Sequence, residues 1–408
     1  MTLIKCFAES HIDNITACLR LKPEKMILLG SGMEMKEAVS RYRKFLKNRG
    51  LSLAVTAFDT GGNDYHSVCG AMRILANREK DPVIDLTGGD ETAIMAVGAV
   101  VAEMEAAGRK RIRVERYDRK TDRVYDCLQR NRSYPENRAE VSIEELLALH
   151  GGALCPGSYR PPKEFALEDL EEVWKLVAKD PSAWNENAKA LGVYERRRND
   201  KEDKNHIVVS LEECDVKDAV KEAQVRAFLK KLQAHGVVKD NSNEDRLDYT
   251  YCSPMMRLCT EKAGNVLELK TLMEACAIME NGRPFFQDAR MSVTIDWDGK
   301  LPVSAEKMVP ETRNEIDVVL MHGTSPIFIS CKNGKIPEEE LYKLNTVARY
   351  FGGPYAGKML VAAKLDRKSD QANESFMQRA WDMDILLMEN GAKLSSTEWQ
   401  EKLKHAWM

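Results

Sequence analysis

The 408-residue chain lacks several features that would assign it to a broad class of proteins. It has no apolar run of membrane-spanning length and no charged-then-apolar leader, so we expect a cytoplasmic protein with no membrane partner. Its ten cysteines form no CxxC pair and no zinc-ligand spacing, which predicts reduced and mostly buried thiols. Lys and Arg total 61 against 64 Asp and Glu, a net charge of -3. Any groove for nucleic acid must therefore be locally basic.

The GxGxxG fingerprint of dinucleotide-binding proteins is also missing, because Gly30-Ser31-Gly32 has no third glycine. This argues against a NAD-dependent dehydrogenase. The first 150 or so residues nevertheless alternate short apolar strands with helical patterns, and the predicted strands are 2–8, 25–29, 52–57 and 82–86. Such an alternation predicts an α/β fold with a parallel sheet that is covered by helices on both faces.

Small and polar residues follow each of these predicted strands. Ligands of parallel sheets bind at the carboxyl ends of the strands, where glycines allow close approach and helix starts offer free amides. Any one of these turns is ordinary, but several on one edge predict a shared ligand pocket. Its predicted binding residues are Ser10, His11, Gly30, Ser31, Asn63, Thr87, Gly88, Gly89 and Asp90.

The middle of the chain begins with a turn-rich stretch at 156–162, where we predict a domain boundary. A long helical pattern then starts at Asp215 and ends at Gly236, followed by two short strand patterns at 237–238 and 247–251. This order suggests a winged-helix-like segment. Its many acidic residues argue against DNA binding, so we interpret it as a spacer that transmits movement.

The carboxyl-terminal part contains two strand patterns that end in charged residues. Asp317 lies in the apolar run 316–321, and Lys332 closes the run 326–331 just before a turn. A hairpin of these strands would bring both side chains together, and Glu268 opens a helical pattern suited to pack on it. Asp317 and Lys332 could simply form a strand-end ion pair. Charges among so many apolar residues are costly, however, which favours a metal-dependent site for phosphodiester cleavage.

These residues resemble the PD-(D/E)xK, or restriction-endonuclease-like, nucleases. The resemblance implies that Glu268 is the helix carboxylate, Asp317 the aspartate of the first motif, and Lys332 the lysine that contacts the nucleophile or the phosphate. It also implies Mg²⁺ or Mn²⁺ as the cofactor.

One position departs from that family, because Ser330 stands where it has a carboxylate two residues before the lysine. The missing metal ligand could be a backbone carbonyl near Cys331, Glu268 itself, or another acid. The nearby acids are Glu315, Asp296 and Asp298.

The amino-terminal pattern resembles the CARF domain, a Rossmann-like sensor that binds cyclic oligoadenylate at a dimer interface. Ser10, Gly30, Ser31 and the loop 87–89 match the positions where that family contacts its ligand. Together the two resemblances indicate a CARF-fused CRISPR ancillary nuclease. They imply a CARF sensor over 1–155, a linker with the winged-helix-like segment over 156–260, and a PD-(D/E)xK nuclease domain over 261–408.

The implied function is that of a homodimeric, metal-dependent endonuclease of type III CRISPR immunity, which is activated by cyclic oligoadenylate. Cyclic tetra-adenylate is the favoured activator, and the implied substrates are single-stranded RNA or DNA, with nicking of duplex DNA. An alternative from another class is a ligand-sensing transcriptional regulator with an inactive nuclease-like domain, which Ser330 favours. A sensor domain that hydrolyses its own activator is a third possibility.

Overall fold

The structure is a computed structural model. It describes residues 1–108, 112–119, 121, 123–129, 132–134, 139–157, 167–197, 203–211, 219–300, 313–334, 336–365 and 370–407. Most of the turn-rich boundary predicted at 156–162 lies outside these residues.

The amino-terminal third of the chain forms a largely parallel sheet with helices on both faces. Its strands are β1 (Thr2–Cys6), β2 (Lys25–Gly30), β3 (Ala54–Asp59), β4 (Pro82–Asp85), β5 (Arg113–Asp118), β6 (Arg123–Asp126) and β7 (Ser133–Tyr134). Its helices are α1 (His11–Leu21), α2 (Met33–Asn48), α3 (Tyr65–Arg78) and α4 (Glu91–Ala106). The strand order is β3-β2-β1-β4-β5-β6-β7, with β3 to β5 parallel and β6 and β7 antiparallel additions. The predicted Rossmann-like sheet is confirmed.

The chain then passes through α5 (Ile143–Leu149) and β8 (Ala153–Leu154) into a mainly helical middle segment. The elements of this segment are α6 (Leu167–Lys179), α7 (Pro181–Glu195), β9 (His206–Ser210), α8 (Ala219–Ala234), β10 (Val238–Asp240), β11 (Arg246–Tyr251) and α9 (Pro254–Glu261). Gly236 adopts a φ of +67° just beyond α8, which is the helix stop expected from the sequence. Strands β9, β10 and β11 form a small antiparallel sheet beside it.

The carboxyl-terminal part forms a mixed sheet that carries the predicted catalytic hairpin. Its elements are α10 (Asn265–Ala277), β12 (Met279–Glu280), β13 (Arg283–Pro284), β14 (Asp288–Asp296), β15 (Arg313–His322), β16 (Ser325–Lys332), α11 (Glu339–Gly352), β17 (Gly357–Ala362), α12 (Asp370–Asp382), β18 (Leu386–Met388) and α13 (Ser396–His405). The strand order is β18-β17-β16-β15-β14-β8, with antiparallel pairing from β8 to β16 and parallel pairing from β16 to β18.

Two hydrophobic cores hold these parts together. The α10 core joins the middle segment to one face of the mixed sheet, and it includes Phe228 of α8, Leu272 of α10 and Ile329 of β16. The central core lies between the two sheets and includes Ile12 of α1 and Phe351 of α11. The amino-terminal sheet and its helices therefore pack directly on the mixed sheet, without the middle segment between them.

Strand β8 joins the mixed sheet through its pairing with β14. The predicted boundary after residue 155 thus falls just behind a strand of the second sheet, rather than between the two sheets. Among the described residues no helix is both long and apolar enough to cross a membrane. The cysteines of these residues are all free and mostly buried, as predicted.

Candidate active site

Strands β14 and β15 are locally distorted at the point where Ser292 faces Asp317. The ladder of paired residues skips these two positions. Ser292 has a φ of +51°, which residues other than glycine rarely adopt. Met291 consequently packs in the α10 core, whereas Val293, two residues later, packs in the central core. A regular strand would place both on one face, so the distortion turns the strand over beside Asp317.

Asp317 accepts hydrogen bonds from the end of the neighbouring strand. The pairing of β15 with β16 stops at Val318 and Ile329, and beyond it the backbone amide of Cys331 donates to Asp317 Oδ2 at 2.6 Å. Lys332 Nζ lies 3.2 Å from the same oxygen. The structure thus brings Asp317 and Lys332 together, as expected for the predicted hairpin.

Glu268 lies in the first turn of α10 on the other side of Asp317. Ser292 Oγ donates to its Oε2 at 3.2 Å. Burial, followed by the negative charge of Asp317, raises the pKa of Glu268 to about 8, although the Ser292 hydrogen bond and the charge of Lys332 act in the opposite direction. Two carboxylates that disfavour each other's charge in this way would be stabilised by a cation between them.

Glu340, in the first turn of α11, completes the surroundings of Lys332 and was missed in the sequence. Its Oε2 lies 3.1 Å from Lys332 Nζ and 3.2 Å from Ser330 Oγ. Burial lowers the pKa of Lys332, but Asp317 and Glu340 together raise it above its ordinary value. The lysine is therefore a firmly charged ammonium group.

The other proposed metal ligands are placed differently. The Cys331 thiol is buried in the α10 core, 3.5 Å from Thr271 Oγ1, and burial raises its pKa well above the ordinary value. The thiol is therefore not expected to bind the ion, and the backbone carbonyl near Cys331 that was considered from the sequence stays a prediction. Glu315 lines a small pocket with Asp317 and Glu340, but the other two acids considered, Asp296 and Asp298, are not among the residues that line it.

A divalent ion fits this donor set only in part in the present conformation. No group of three or more His, Cys, Asp or Glu side chains in the described parts of the chain is arranged as a ready metal site. Glu268 and Asp317 nevertheless supply hard oxygen donors, which are the ligands that Mg²⁺ and Mn²⁺ prefer. The charge of Asp317 helps to raise the pKa of Glu268, and a bound cation would offset that effect.

The predicted ligand edge of the sensor contains both free and engaged groups. Ser10 precedes α1 without capping it, and its buried Oγ has no hydrogen-bond partner among the described residues. Ser31 and Asn63, which follow Gly30 at β2 and the end of β3, contact each other through their side-chain oxygens at 2.5 Å on the exposed edge. Ser31 and Asn63 can therefore reach a molecule bound at the edge, whereas Ser10 is buried.

The loop after β4 packs tightly on β1 and α1. Thr87 turns its hydroxyl inward, donating to Asp85 and accepting from the Tyr117 amide at 2.9 Å. At Gly88, which has a φ of +68°, an added Cβ would lie 2.8 Å from Asp13 Oδ2. Position 88 therefore requires glycine, and the Thr87 side chain stabilises the loop instead of facing outward.

The next two residues continue this packing into α4. A Cβ at Gly89 would lie 3.0 Å from Cys6 Cβ, and Asp90 caps α4 by accepting from the Ala93 amide at 2.8 Å. Because the Asp90 side chain is engaged in the cap, a ligand could contact only the remaining free backbone amides at the start of α4.

The structure places the His11 side chain inside the protein. Its Nδ1 lies 2.6 Å from the Tyr42 hydroxyl, and its ring lies 5.1 Å from that of His150. Burial, followed by the charge of His150, lowers the pKa of His11 to about 3. His11 is thus a neutral interior residue and does not face the edge where it was expected to contact a ligand.

The fold and this geometry define a mixed α/β protein with a Rossmann-like sheet joined to a second sheet that carries an acid-lysine hairpin. No protein-family model matches the chain, and no curated protein matches its sequence. Two solved structures share its fold over nearly the whole length. Protein VC1899 from Vibrio cholerae is 16% identical, with a TM-score of 0.66 over 99% of this chain and 96% of that one. Can2 from Sulfobacillus thermosulfidooxidans, in complex with cyclic tetra-adenylate, is 14% identical, with a TM-score of 0.64 over 100% and 97%.

Proposed function

We propose that the chain is a divalent-metal-dependent endonuclease of type III CRISPR defence, switched on by cyclic oligoadenylate. The observation that carries this proposal is the contact of Lys332 with Asp317 at 3.2 Å, beside a Glu268 carboxyl whose pKa is raised to about 8. A perturbed carboxyl beside an acid-lysine pair is typical of a catalytic site.

In this proposal Glu268 and Asp317 hold Mg²⁺ or Mn²⁺. The ion, when bound, offsets the charge of the phosphodiester and activates water. The Cys331 amide fixes the orientation of Asp317 through its 2.6 Å hydrogen bond. The Lys332 ammonium group would contact the phosphate or the attacking water. Lys343 lines the adjoining pocket and would add a positive charge along the nucleic acid backbone.

The proposed substrates are single-stranded RNA or DNA, with nicking of duplex DNA as a further reaction. The contacts proposed for Lys332 and Lys343 are to the phosphate backbone. Contacts to the phosphate backbone carry no sequence information. We therefore expect cleavage with little sequence preference.

The activator would bind at the carboxyl edge of the sensor sheet, around Ser10, Gly30, Ser31, Asn63 and the loop 87–90. The supporting observation is the pair of Ser31 and Asn63 side chains on the exposed edge. The Ser10 hydroxyl has no partner among the described residues, but it is buried. The site lies between β1 and β4, where the strand order changes direction, which is the usual ligand position in open α/β sheets. The Can2 structure of the same fold contains cyclic tetra-adenylate.

A second copy of the chain would cover the outer face of α4. This face exposes Ile94, Met95 and Gly98, whereas the opposite face packs on the sensor sheet. The buried residues of that face are Ala93, Ala96, Val97, Val100 and Val101. Helix α4 starts at the ligand edge, since Asp90 is its cap. A homodimer formed through α4 would therefore bring two ligand edges close together, as a cyclic ligand with repeated adenylates requires.

A cleavage assay tests the proposed function directly. The chain should cut single-stranded RNA or DNA with Mn²⁺, and cyclic tetra-adenylate should stimulate the reaction. Asp317→Asn should abolish cutting, because the variant loses a hard anionic oxygen while it keeps the side-chain shape. Asp298→Asn is the matched control, since Asp298 is exposed and contacts Lys300.

Cutting by Asp317→Asn at the rate of the parent would refute the assignment of this site. Sequence-specific binding of duplex DNA without any cutting by the parent would instead favour the regulator.

A further inference from the structure

The strand that ends in Lys332 has Ser330 where a PD-(D/E)xK strand carries its second carboxylate. Serine is a neutral and weaker ligand for a divalent ion than a carboxylate, so the strand alone supplies too little negative charge. We propose that Glu340 of α11 supplies this carboxylate from a different element of the fold. This inference rests on the proposed nuclease function and names the third acid of its site.

The contacts of Glu340 duplicate those of Asp317. Ser330 Oγ lies 3.1 Å from Asp317 Oδ2 and 3.2 Å from Glu340 Oε2, so its single proton can be donated to either. Lys332 Nζ lies 3.2 Å and 3.1 Å from the same two oxygens. Glu340 thus extends over the Ser330 hydroxyl to the place that a longer acidic side chain at position 330 would reach.

The packing of α11 selects Glu340 from three consecutive acids. Leu341 and Leu344 are buried in the central core and fix the rotation of the helix. Glu338 pairs with Arg379 and Glu339 is exposed, whereas the Glu340 side chain retains only 21% exposure. Acids in a first helical turn are generally explained by the helix dipole, but the dipole does not require this burial or these contacts.

The three acids of the proposed site come from three separate elements of the fold. Glu268 comes from α10, Asp317 from β15 and Glu340 from α11. Lys332 bridges the latter two in the present conformation. The ion, when present, would have these three carboxylates available as ligands, with Ser330 as a hydrogen-bond donor between two of them.

Manganese binding tests the inference apart from activity. Calorimetric titration of the full chain with MnCl₂, without nucleic acid, should show that Glu340→Gln weakens binding by about 10- to 100-fold, a loss comparable to that for altered metal-site groups. The substitution preserves size and removes one charge. Glu339→Gln, one residue earlier on an exposed position, should bind Mn²⁺ like the parent.

A charge relocation gives the sharper result. The double variant Ser330→Glu with Glu340→Ser places the carboxylate back on the strand, and it should recover Mn²⁺ affinity to within about tenfold of the parent. A merely structural role of Glu340 in α11 would not be rescued by an acid on β16. Single-strand cleavage should follow the same order.

Three outcomes separate the possibilities. Parent-like Mn²⁺ affinity in Glu340→Gln, together with its loss in Asp317→Asn, would overturn the role of Glu340 and leave the nuclease proposal intact. Tighter binding or faster cutting by Glu340→Gln would overturn it as well, because Glu340 would then restrain Lys332. A parent that neither binds Mn²⁺ nor cuts would refute the proposed function itself.

Discussion

Gly353, directly after α11, lies against Ser10 at the proposed ligand edge of the amino-terminal sheet. A Cβ added to Gly353 would lie 3.1 Å from both Cβ and Oγ of Ser10. Two residues later, the Tyr355 ring lies 5.4 Å below the guanidinium group of Arg119 from the sensor. Glu340 is near the other end of the same 14-residue helix, which is about 21 Å long. One rigid element thus contacts both the proposed sensor site and the proposed catalytic site.

The contact between Gly353 and Ser10 predicts a measurable coupling. Gly353→Ala should destabilise the protein, because its φ of +71° strains any side chain and the new Cβ meets Ser10. Adding Ser10→Gly to this variant should relieve the contact with the new Cβ but not the backbone strain at position 353. Glycine at position 10 is tolerated, because it lies at a helix start. Urea unfolding of the parent, the two single variants and the double variant gives a double-mutant cycle. Its interaction free energy should be favourable by about 1 kcal/mol. Strict additivity would show that the two residues are not in contact.

The sequence predicted the parts of this structure that follow from local patterns. Alternation of strands and helices predicted the Rossmann-like sheet. The strand run that contains Asp317 and the run that Lys332 closes predicted a hairpin that brings these two side chains together. These features depend on short-range periodicity and turns, which a single sequence reveals.

The features that were missed depend on long-range packing. Three consecutive acids precede Leu341, and only the burial of Leu341 in the central core decides that Glu340 faces the site. His11 was expected at the ligand edge, but Tyr42 and His150 hold its ring inside. The left-handed backbone of Ser292 has no signal in the sequence, because serine has no preference for that conformation.

The backbone at Ser292 makes a prediction about strain. Ser292→Gly and Ser292→Ala both remove the hydroxyl that donates to Glu268. Only glycine adopts a φ of +51° without a steric penalty, so Ser292→Gly should be more stable than Ser292→Ala by about 1 kcal/mol. Guanidinium unfolding at one pH measures the difference. A more stable alanine variant would mean that this part of β14 is regular in solution.

Two buried histidines predict acid sensitivity of the junction between the sheets. Burial lowers the pKa of His11 to about 3 and that of His150 to about 4, against 6.5 in the unfolded chain. The unfolded state therefore binds more protons below pH 6.5, and stability is lost as the pH falls from 6.5 towards 4. Each histidine should lower the free energy of unfolding by about 1.5 kcal/mol when the pH falls from 6.5 to 5.

A glutamine variant isolates this effect. His11→Gln removes one titrating group, so the slope of unfolding free energy against pH between 6.5 and 5 should become shallower. His405→Gln is the matched control, because His405 is exposed near the end of α13. A slope that both variants share with the parent would show that His11 does not titrate differently in the folded protein.

The exposed face of α4 makes a prediction about assembly. Met95 is 58% exposed in the middle of an apolar face, where a monomer would leave it in water. If a second copy covers this face, Met95→Glu should bury an unpaired charge in the interface and yield monomers in light scattering. Met377→Glu is the matched control, since Met377 of α12 is 42% exposed on the other part of the molecule.

Assembly and activation should then separate in the Met95→Glu variant. Its Mn²⁺ affinity should equal that of the parent, because Glu268, Asp317 and Glu340 all belong to one copy of the chain. Stimulation of cutting by cyclic tetra-adenylate should be lost, because a ligand held between two sensor edges cannot engage a single one with the same affinity. A dimeric Met95→Glu variant would place the interface elsewhere, and a monomeric variant that the ligand still stimulates would show that one sensor suffices.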